Sequence, residues 1–413
     1  MLKDRNYSGL LFLVPVGAQA LITLISIPII ISSAGNQGWA SIATGQAVGG
    51  FLGVVCGLGW NVTGPSIAAV ADVILSRRTL KLALFTRLMV SIPLFLIGIE
   101  VVYLLHLARL DLAVLGLAST LVISFNMQWF FVGQNKPVLL VLYDSIPRLL
   151  TLLAGWMIVL LGANVSVGLA GQILSSLVAA AIVCVKLRVF HDGSRLGFPT
   201  VWREIFKQGH GLSTEVLPAF LSYCPMIAIS ALAPSIAPLY ALIDKVHKQL
   251  VTGLVPMGNF IVAKLLYRLN GSDHPFEQTV RGGMNKIILL GTASCLGTLT
   301  FGEPLIWFLS HKTMSLHIYL LVLLSVLVGL TVVVAILPYG LMAPMNCLRQ
   351  ASISLLLGTV IGISALVTLT VFLGAVGTLL GQVIGYATAI LFQWLTIRRI
   401  LSSKIVLLNK IKI

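Results

Sequence analysis

Charge is what this sequence has least of. Asp, Glu, Lys and Arg together make up 9% of its 413 residues, against about 25% in a soluble globular chain. Apolar residues reach 58% and the mean hydropathy is +1.03. No soluble core could hide that much apolar surface, so lipid must solvate most side chains. Acids are the scarcer charge, 12 against 27 basic residues. Cysteines are few and odd in number: Cys56, Cys184, Cys224, Cys295 and Cys347 lie scattered in or beside apolar runs. That pattern offers no disulfide framework and no metal spacing, and the seven histidines show no pair at ligand spacing. A Walker-type G-x-x-x-x-G-K-[ST] is missing, so the chain hydrolyses no ATP. There is no soluble-enzyme constellation and no selectivity-filter-like loop. The expectation is a membrane protein with no catalytic residues, no metal and no cofactor.

What is present is a series of long apolar runs. About twenty apolar residues cross the hydrocarbon as a helix. Twelve runs qualify: 9–31, 38–60, 82–105, 110–132, 139–161, 164–185, 211–233, 236–262, 285–308, 316–340, 352–373 and 375–397. The first follows Lys3 and Arg5, as the apolar part of a signal peptide follows its basic start. It is too long for an h-region and lacks a small-residue cleavage site, so it reads as a retained helix.

The basic residues orient the bundle. With a cytoplasmic N-terminus, only Arg109 and Lys312 fall outside, and Arg87, Arg148, Lys245 and Lys248 lie within spans. All other Lys and Arg fall on the cytoplasmic side. The positive-inside rule then predicts an even number of spans with both termini cytoplasmic. The net charge of +15 is explained by anionic lipid, with no need of nucleic acid.

External connections are short, as at Ser32 to Gln37, Gly162 to Asn164 and Ala233 to Ser235. The longest cytoplasmic link divides the chain into a six-helix half over 1–186, a link over 187–210, and a second six-helix half with a basic tail over 211–413. Two halves of equal orientation suit a secondary transporter built from parallel repeats. Within the link, Trp202, Ile205 and Phe206 oppose Arg203, Glu204 and Lys207. This amphipathic stretch is expected to lie in the membrane interface.

Ions at mid-membrane are expensive: a Lys or Arg facing lipid costs roughly 2.5–3.5 kcal/mol on the insertion scale. The intramembrane charges must therefore face protein or a wet cavity. Asp144 and Arg148 lie four apart in the fifth span, around Pro147. In the eighth, Tyr240, Asp244, Lys248 and Thr252 recur every four residues, flanked by Lys245 and His247. Gln19, Thr23 and Ser26 share a face of the first span. The third contributes Arg87 toward the cytoplasm and Glu100 toward the outside. Two readings stay open. The pairs either neutralise each other and hold the bundle, or they line a path for a charged substrate or coupling ion. On the second reading, Arg87, Arg148, Lys245, Lys248, Tyr240, Gln19 and Thr23 are substrate-cavity candidates. Asp144, Asp244 and Glu100 are then ion-coupling or counter-ion candidates. Glu215, Glu303 and Arg109 sit near helix ends, where solvated roles are expected.

The stretch Gln128-Trp129-Phe130-Phe131-Val132-Gly133-Gln134-Asn135-Lys136 resembles an aromatic W-[FL]-[FL]-Q-G signature of the polysaccharide-transport family. These are the Wzx-type O-antigen flippases of the multidrug/oligosaccharidyl-lipid/polysaccharide (MOP) exporter superfamily. Val132 stands where that family usually has Gln. Gly57-Leu58-Gly59-Trp60-Asn61-Val62 is similar to the family's L-G-x-N segment, followed by basic Arg77 and Arg78. Arg148 and the Tyr240-Ala241 opening of span eight are also similar. The resemblance implies an all-α, MATE-like fold of twelve helices in the bacterial inner membrane. It implies a flippase that carries an undecaprenyl-diphosphate-linked oligosaccharide to the periplasmic leaflet by alternating access. A polysaccharide polymerase and a chain-length regulator would be partners. A multidrug exporter of the same superfamily is the alternative, although it would favour an acid-dominated cavity. An O-antigen polymerase or ligase would carry a large periplasmic loop, which this chain lacks.

Overall fold

The computed structural model describes residues 2–191, 197–269, 276–343, 345 and 347–411; link residues 192–196, Arg195 among them, fall outside. All regular structure among the described residues is helical. In hydrocarbon each backbone N–H and C=O must be satisfied within its own segment, and a helix achieves that.

Helix α1 (Leu2–Gly57) contains two crossings, broken at Gly35 (φ 70°, ψ 175°). That left-handed conformation suits a residue without Cβ, and it sits in the expected 32–37 turn. Past Leu58 and Gly59, both at positive φ, helix resumes as α2 (Trp60–Val70). The second crossing therefore reaches beyond the expected end at residue 60. Asp72 caps α3 (Val73–Leu104), its Oδ1 accepting from the Leu75 N–H at 2.7 Å.

The fourth crossing is interrupted: α4 (Leu110–Leu121) tightens into a 3₁₀ turn (Val122–Phe125), opens at Asn126, and continues as α5 (Gln128–Gly133). The fifth begins with α6 (Pro137–Leu140), widens into a π-helical turn (Val141–Ser145), and runs on as α7 (Ile146–Leu160). Then come α8 (Val165–Lys186), α9 (Phe198–Lys207), α10 (Gly209–Leu232) and α11 (Ala237–Leu269). The chain continues through α12 (Phe276–Leu309), α13 (Ile318–Leu337), α14 (Leu348–Leu373) and α15 (Ala375–Ile411).

Among the described residues, ten segments are long and apolar enough to cross a membrane. The first holds two crossings, either side of Gly35. Helix α11, made less apolar by Asp244, Lys245 and Lys248, adds another and gives the expected twelve. α9 presents Phe198, Trp202 and Phe206 as an exposed ladder with ring centroids 6.1 and 5.2 Å apart, the form an interfacial helix takes.

The described chain forms two compact units, Met1–Ala241 and Leu242–Ile413. In the first, α1 packs on α4, α10 and α3, and α7 on α8. The closest approach is α1 to α4. A Cβ at Gly45 or Gly49 would collide with the backbone carbonyl of Ala113 or Leu117, and small residues let membrane helices pack backbone to backbone in this way. In the second unit α14 packs on α15, and α13 on both α12 and α15. Leu324, Val328, Val332 and Ile336 bury one face of α13.

Candidate functional site

In the second unit the charged stripe of α11 is turned inward. Lys248 Nζ donates to Asp244 Oδ2 at 2.6 Å, with side-chain exposures of 21% and 6%. The i, i+4 spacing places the two groups on one face. Asp244 Oδ1 is buried with no hydrogen-bond partner among the described residues. One turn on, buried His247 meets Thr331 of α13, Nε2 to Oγ1, at 3.1 Å. Thr331 gives its single proton to the Leu327 carbonyl at 2.7 Å. With that proton committed, a neutral imidazole donates through Nε2 and keeps Nδ1 as an acceptor. Nδ1 is likewise buried and without a partner among the described residues. Tyr386 of α15 is buried, hydrogen-bonds Thr331 and lies within electrostatic reach of Asp244. Three helices thus converge on the Lys248 ammonium, one carboxylate and two unsatisfied acceptor atoms, with Lys245 next to Asp244 in the chain. Such a site can bind an anion through Lys248 and Lys245, and a proton or monovalent cation through Asp244 Oδ1 and His247 Nδ1. The pattern of α11 disclosed the charges; Thr331 and Tyr386 lie in ordinary apolar helices and gave no signal.

The first unit holds a different arrangement. Arg148 NH2 donates to Asp144 Oδ1 at 3.0 Å, and Arg148 NH1 to Ser176 Oγ of α8 at 2.9 Å. Gln128 Nε2 donates to Asp144 Oδ2 at 3.2 Å. The pair is 4% and 1% exposed. Asp144 sits in the π-helical turn, whose extra residue per turn re-aims a side chain. Gln128 opens the aromatic stretch, so that stretch and the ion pair are one structure. Trp129, Phe130 and Phe131 are all buried; Trp129 stacks on Trp60 at 5.5 Å, and Trp60 Nε1 donates to Thr86 Oγ1. The aromatics therefore pack α5 against α2 and α3. Val132 is exposed, so exchanging Gln for Val there orphans no buried amide.

Arg87 belongs to a third cluster. It is 1% exposed, and NH1 donates to the Asn126 carbonyl at 2.6 Å, a carbonyl freed by the break in the fourth crossing. Nε and NH2 have no partner among the described residues. Its nearest acid is Glu215 of α10, whose carboxylate receives Asn61 and the Gly59 N–H. Glu215 is turned into the unit, whereas its sequence position suggested a solvated end.

The other candidates stand apart. Thr23 Oγ1 donates to the Gln19 carbonyl at 2.8 Å, and both side chains are half-buried. Tyr240 is 1% exposed and belongs to the first unit, one residue before its end. Glu100 is exposed beside Leu96, Ile97, Tyr103 and Leu104, on the outward stripe of α3 rather than with Arg87. Among the described residues, no group of His, Cys, Asp and Glu could hold a metal.

No protein-family model and no curated protein matches the chain. Solved structures do. The chain is similar to an inward-facing multidrug-resistance MATE transporter of the MOP superfamily, with TM-score 0.60 and 15% identity over 93% of this chain and 98% of that one. It is similar to the MATE multidrug transporter DinF-BH, solved in complex with a ligand, with TM-score 0.54 and 14% identity over 95% and 94%. A third is a MOP superfamily transporter from Pyrococcus furiosus, described as having a binding pocket of reversed polarity that suggests a different function. There the TM-score is 0.53 and identity 16% over 96% of each chain. These neighbours are transporters, and the likeness spans nearly the whole of both chains. The chain has the all-helical, twelve-span fold of the MOP superfamily transporters.

Proposed function

We propose that this chain is a flippase that moves an undecaprenyl-diphosphate-linked oligosaccharide from the cytoplasmic to the periplasmic leaflet by alternating access. The observation that carries the reading is the local excess of cation on α11. Lys245 and Lys248 stand in one stretch with a single acid, Asp244, which pairs with Lys248, and Lys248 keeps a fifth of its side chain exposed. A diphosphate cannot enter hydrocarbon without such a partner, and a site built for cationic drugs would hold the opposite balance. The flippase-like segment from Gln128 to Lys136 supports the same reading. So does the Pyrococcus furiosus neighbour, which is described as carrying a reversed pocket polarity on the same fold. The chain then works in the bacterial inner membrane as two six-helix halves. A polysaccharide polymerase and a chain-length regulator act downstream.

Removing the gene from its own host tests this. The expected result is loss of the surface polysaccharide and accumulation of its lipid-linked repeat unit, both reversed by the wild-type gene. Unchanged polysaccharide together with hypersensitivity to cationic drugs would favour the multidrug exporter instead.

A further inference from the structure

The cytoplasmic rim of the first unit carries a cleft of mixed lining that includes none of the intramembrane charges. It encloses about 240 Å³ between the first turns of α3 and the residues following α5. Phe130 and Leu80 line its apolar part; Ser76, Arg77, Gln134 and Lys136 supply its polar groups. Arg77 is fixed by its Nε–H, which donates to the Leu187 carbonyl at 3.2 Å. The two terminal guanidinium nitrogens make no hydrogen bond among the described residues. Lys136 Nζ donates to Gln134 Oε1 at 2.8 Å, and Gln134 Nε2 donates to Ser76 Oγ at 3.1 Å. That relay aims the ammonium and leaves it two further protons. The cleft's acid, Asp72, is already committed, through Oδ1, to the first turn of α3, where the helix dipole favours a negative charge. Arg78, Lys81, Lys186 and Arg188 flank the site in sequence and raise the local positive potential.

The surface beside the cleft is aliphatic. Val73 lines the cleft, and its exposed sequence neighbours Val70 and Ile74, together with Val132 and Val138 on either side of Gln134 and Lys136, are aliphatic. Cations within a cleft and bare aliphatics along its margin match the two ends of an anionic amphiphile: phosphate oxygens against the planar fork of arginine and the point charge of lysine, acyl chain against valine and isoleucine. We propose that this cleft binds a phosphate group at headgroup depth, with Arg77 and Lys136 as its cations. The phosphate is that of an anionic phospholipid or of a soluble diphosphate, and the aliphatic margin favours the lipid. This site is distinct from the α11 site and does not depend on what the protein transports.

The test uses the full chain in detergent, with phosphatidylglycerol retention followed by native mass spectrometry and inorganic diphosphate added as competitor. Wild type and Arg349→Gln, which alters an exposed arginine of the second unit, should retain the lipid equally. Arg77→Gln with Lys136→Gln should weaken retention at least tenfold. If that double variant folds poorly, Lys136→Gln alone, at an exposed position, should weaken it several-fold. Survival of the lipid adduct in millimolar diphosphate identifies the lipid as the source. Displacement shows that the phosphate group alone suffices. Equal binding of lipid and diphosphate by wild type and the cleft variants would overturn the proposal, whatever the outcome for transport.

Discussion

Replacing Asp244 and Lys248 together, as Asp244→Asn with Lys248→Gln, is expected to reduce polysaccharide export at least tenfold while leaving the protein in the membrane near its wild-type level. Both substitutes keep shape and hydrogen-bonding capacity, so neither strands a buried ion. What disappears, on the proposed function, is the ammonium offered to the substrate and the carboxylate that orients it. A charge-assisted hydrogen bond contributes about 1.5–3 kcal/mol, and a tenfold effect corresponds to about 1.4 kcal/mol. The single change Lys248→Ala is a poorer probe. It leaves Asp244, 6% exposed, without its counter-ion, and breaking such a pair from one side costs about 3–5 kcal/mol. Protein and activity then fall together. Export is to be read as surface polysaccharide normalised to protein in the membrane. A double variant that exports normally would remove α11 from the transport path.

The Asp144–Arg148 pair is expected to behave in the opposite way. Arg148→Ala leaves a carboxylate that is 1% exposed facing only Gln128 among its described donors, and most of the folded protein should be lost. Asp144→Asn should be nearly as harmful, because it leaves the buried guanidinium uncompensated. Replacing both by apolar residues of similar volume, Asp144→Leu with Arg148→Met, should restore the protein level. Such replacements of buried pairs are often neutral or stabilising by about 1–4 kcal/mol. Export by that variant should lie within a few-fold of wild type. Normal protein with no export would instead place Arg148 in the substrate path. Membrane-fraction immunoblotting beside the polysaccharide assay separates these outcomes.

The sequence placed Asp144 and Arg148 four apart on one helical face and left open whether Asp144 carries an ion or balances its neighbour. What it could not supply was depth of burial and the two remote partners, Gln128 and Ser176, which close the network from other helices. The crossings themselves were legible because lipid imposes a length and a composition on every span, and the charged stripe of α11 because ions in hydrocarbon stand out. Breaks within spans were harder to see. The turn at Gly35 was expected from polarity, but the interruption at Asn126 and the π-helical turn at Asp144 answer to tertiary contacts: a carbonyl taken by Arg87, and a carboxylate turned toward Arg148. Glu215 was misplaced for the same reason. Its position near a helix start suggested water, whereas Asn61 and the Gly59 N–H hold it inward. Thr331 and Tyr386 could not be found at all from pattern, since their relevance comes only from facing His247 and Asp244.

The most direct test of the flippase reading is leaflet exchange by the purified chain. The protein is reconstituted into liposomes containing the host's own undecaprenyl-diphosphate-linked oligosaccharide, and glycan exposure at the outer face is followed with a membrane-impermeant glycosidase. Wild-type protein should make the protected half of the glycolipid accessible at least tenfold faster than protein-free liposomes or liposomes with Asp244→Asn/Lys248→Gln. Folded wild-type protein that leaves the protected half untouched, or that moves a cationic dye but not the glycolipid, would contradict the account.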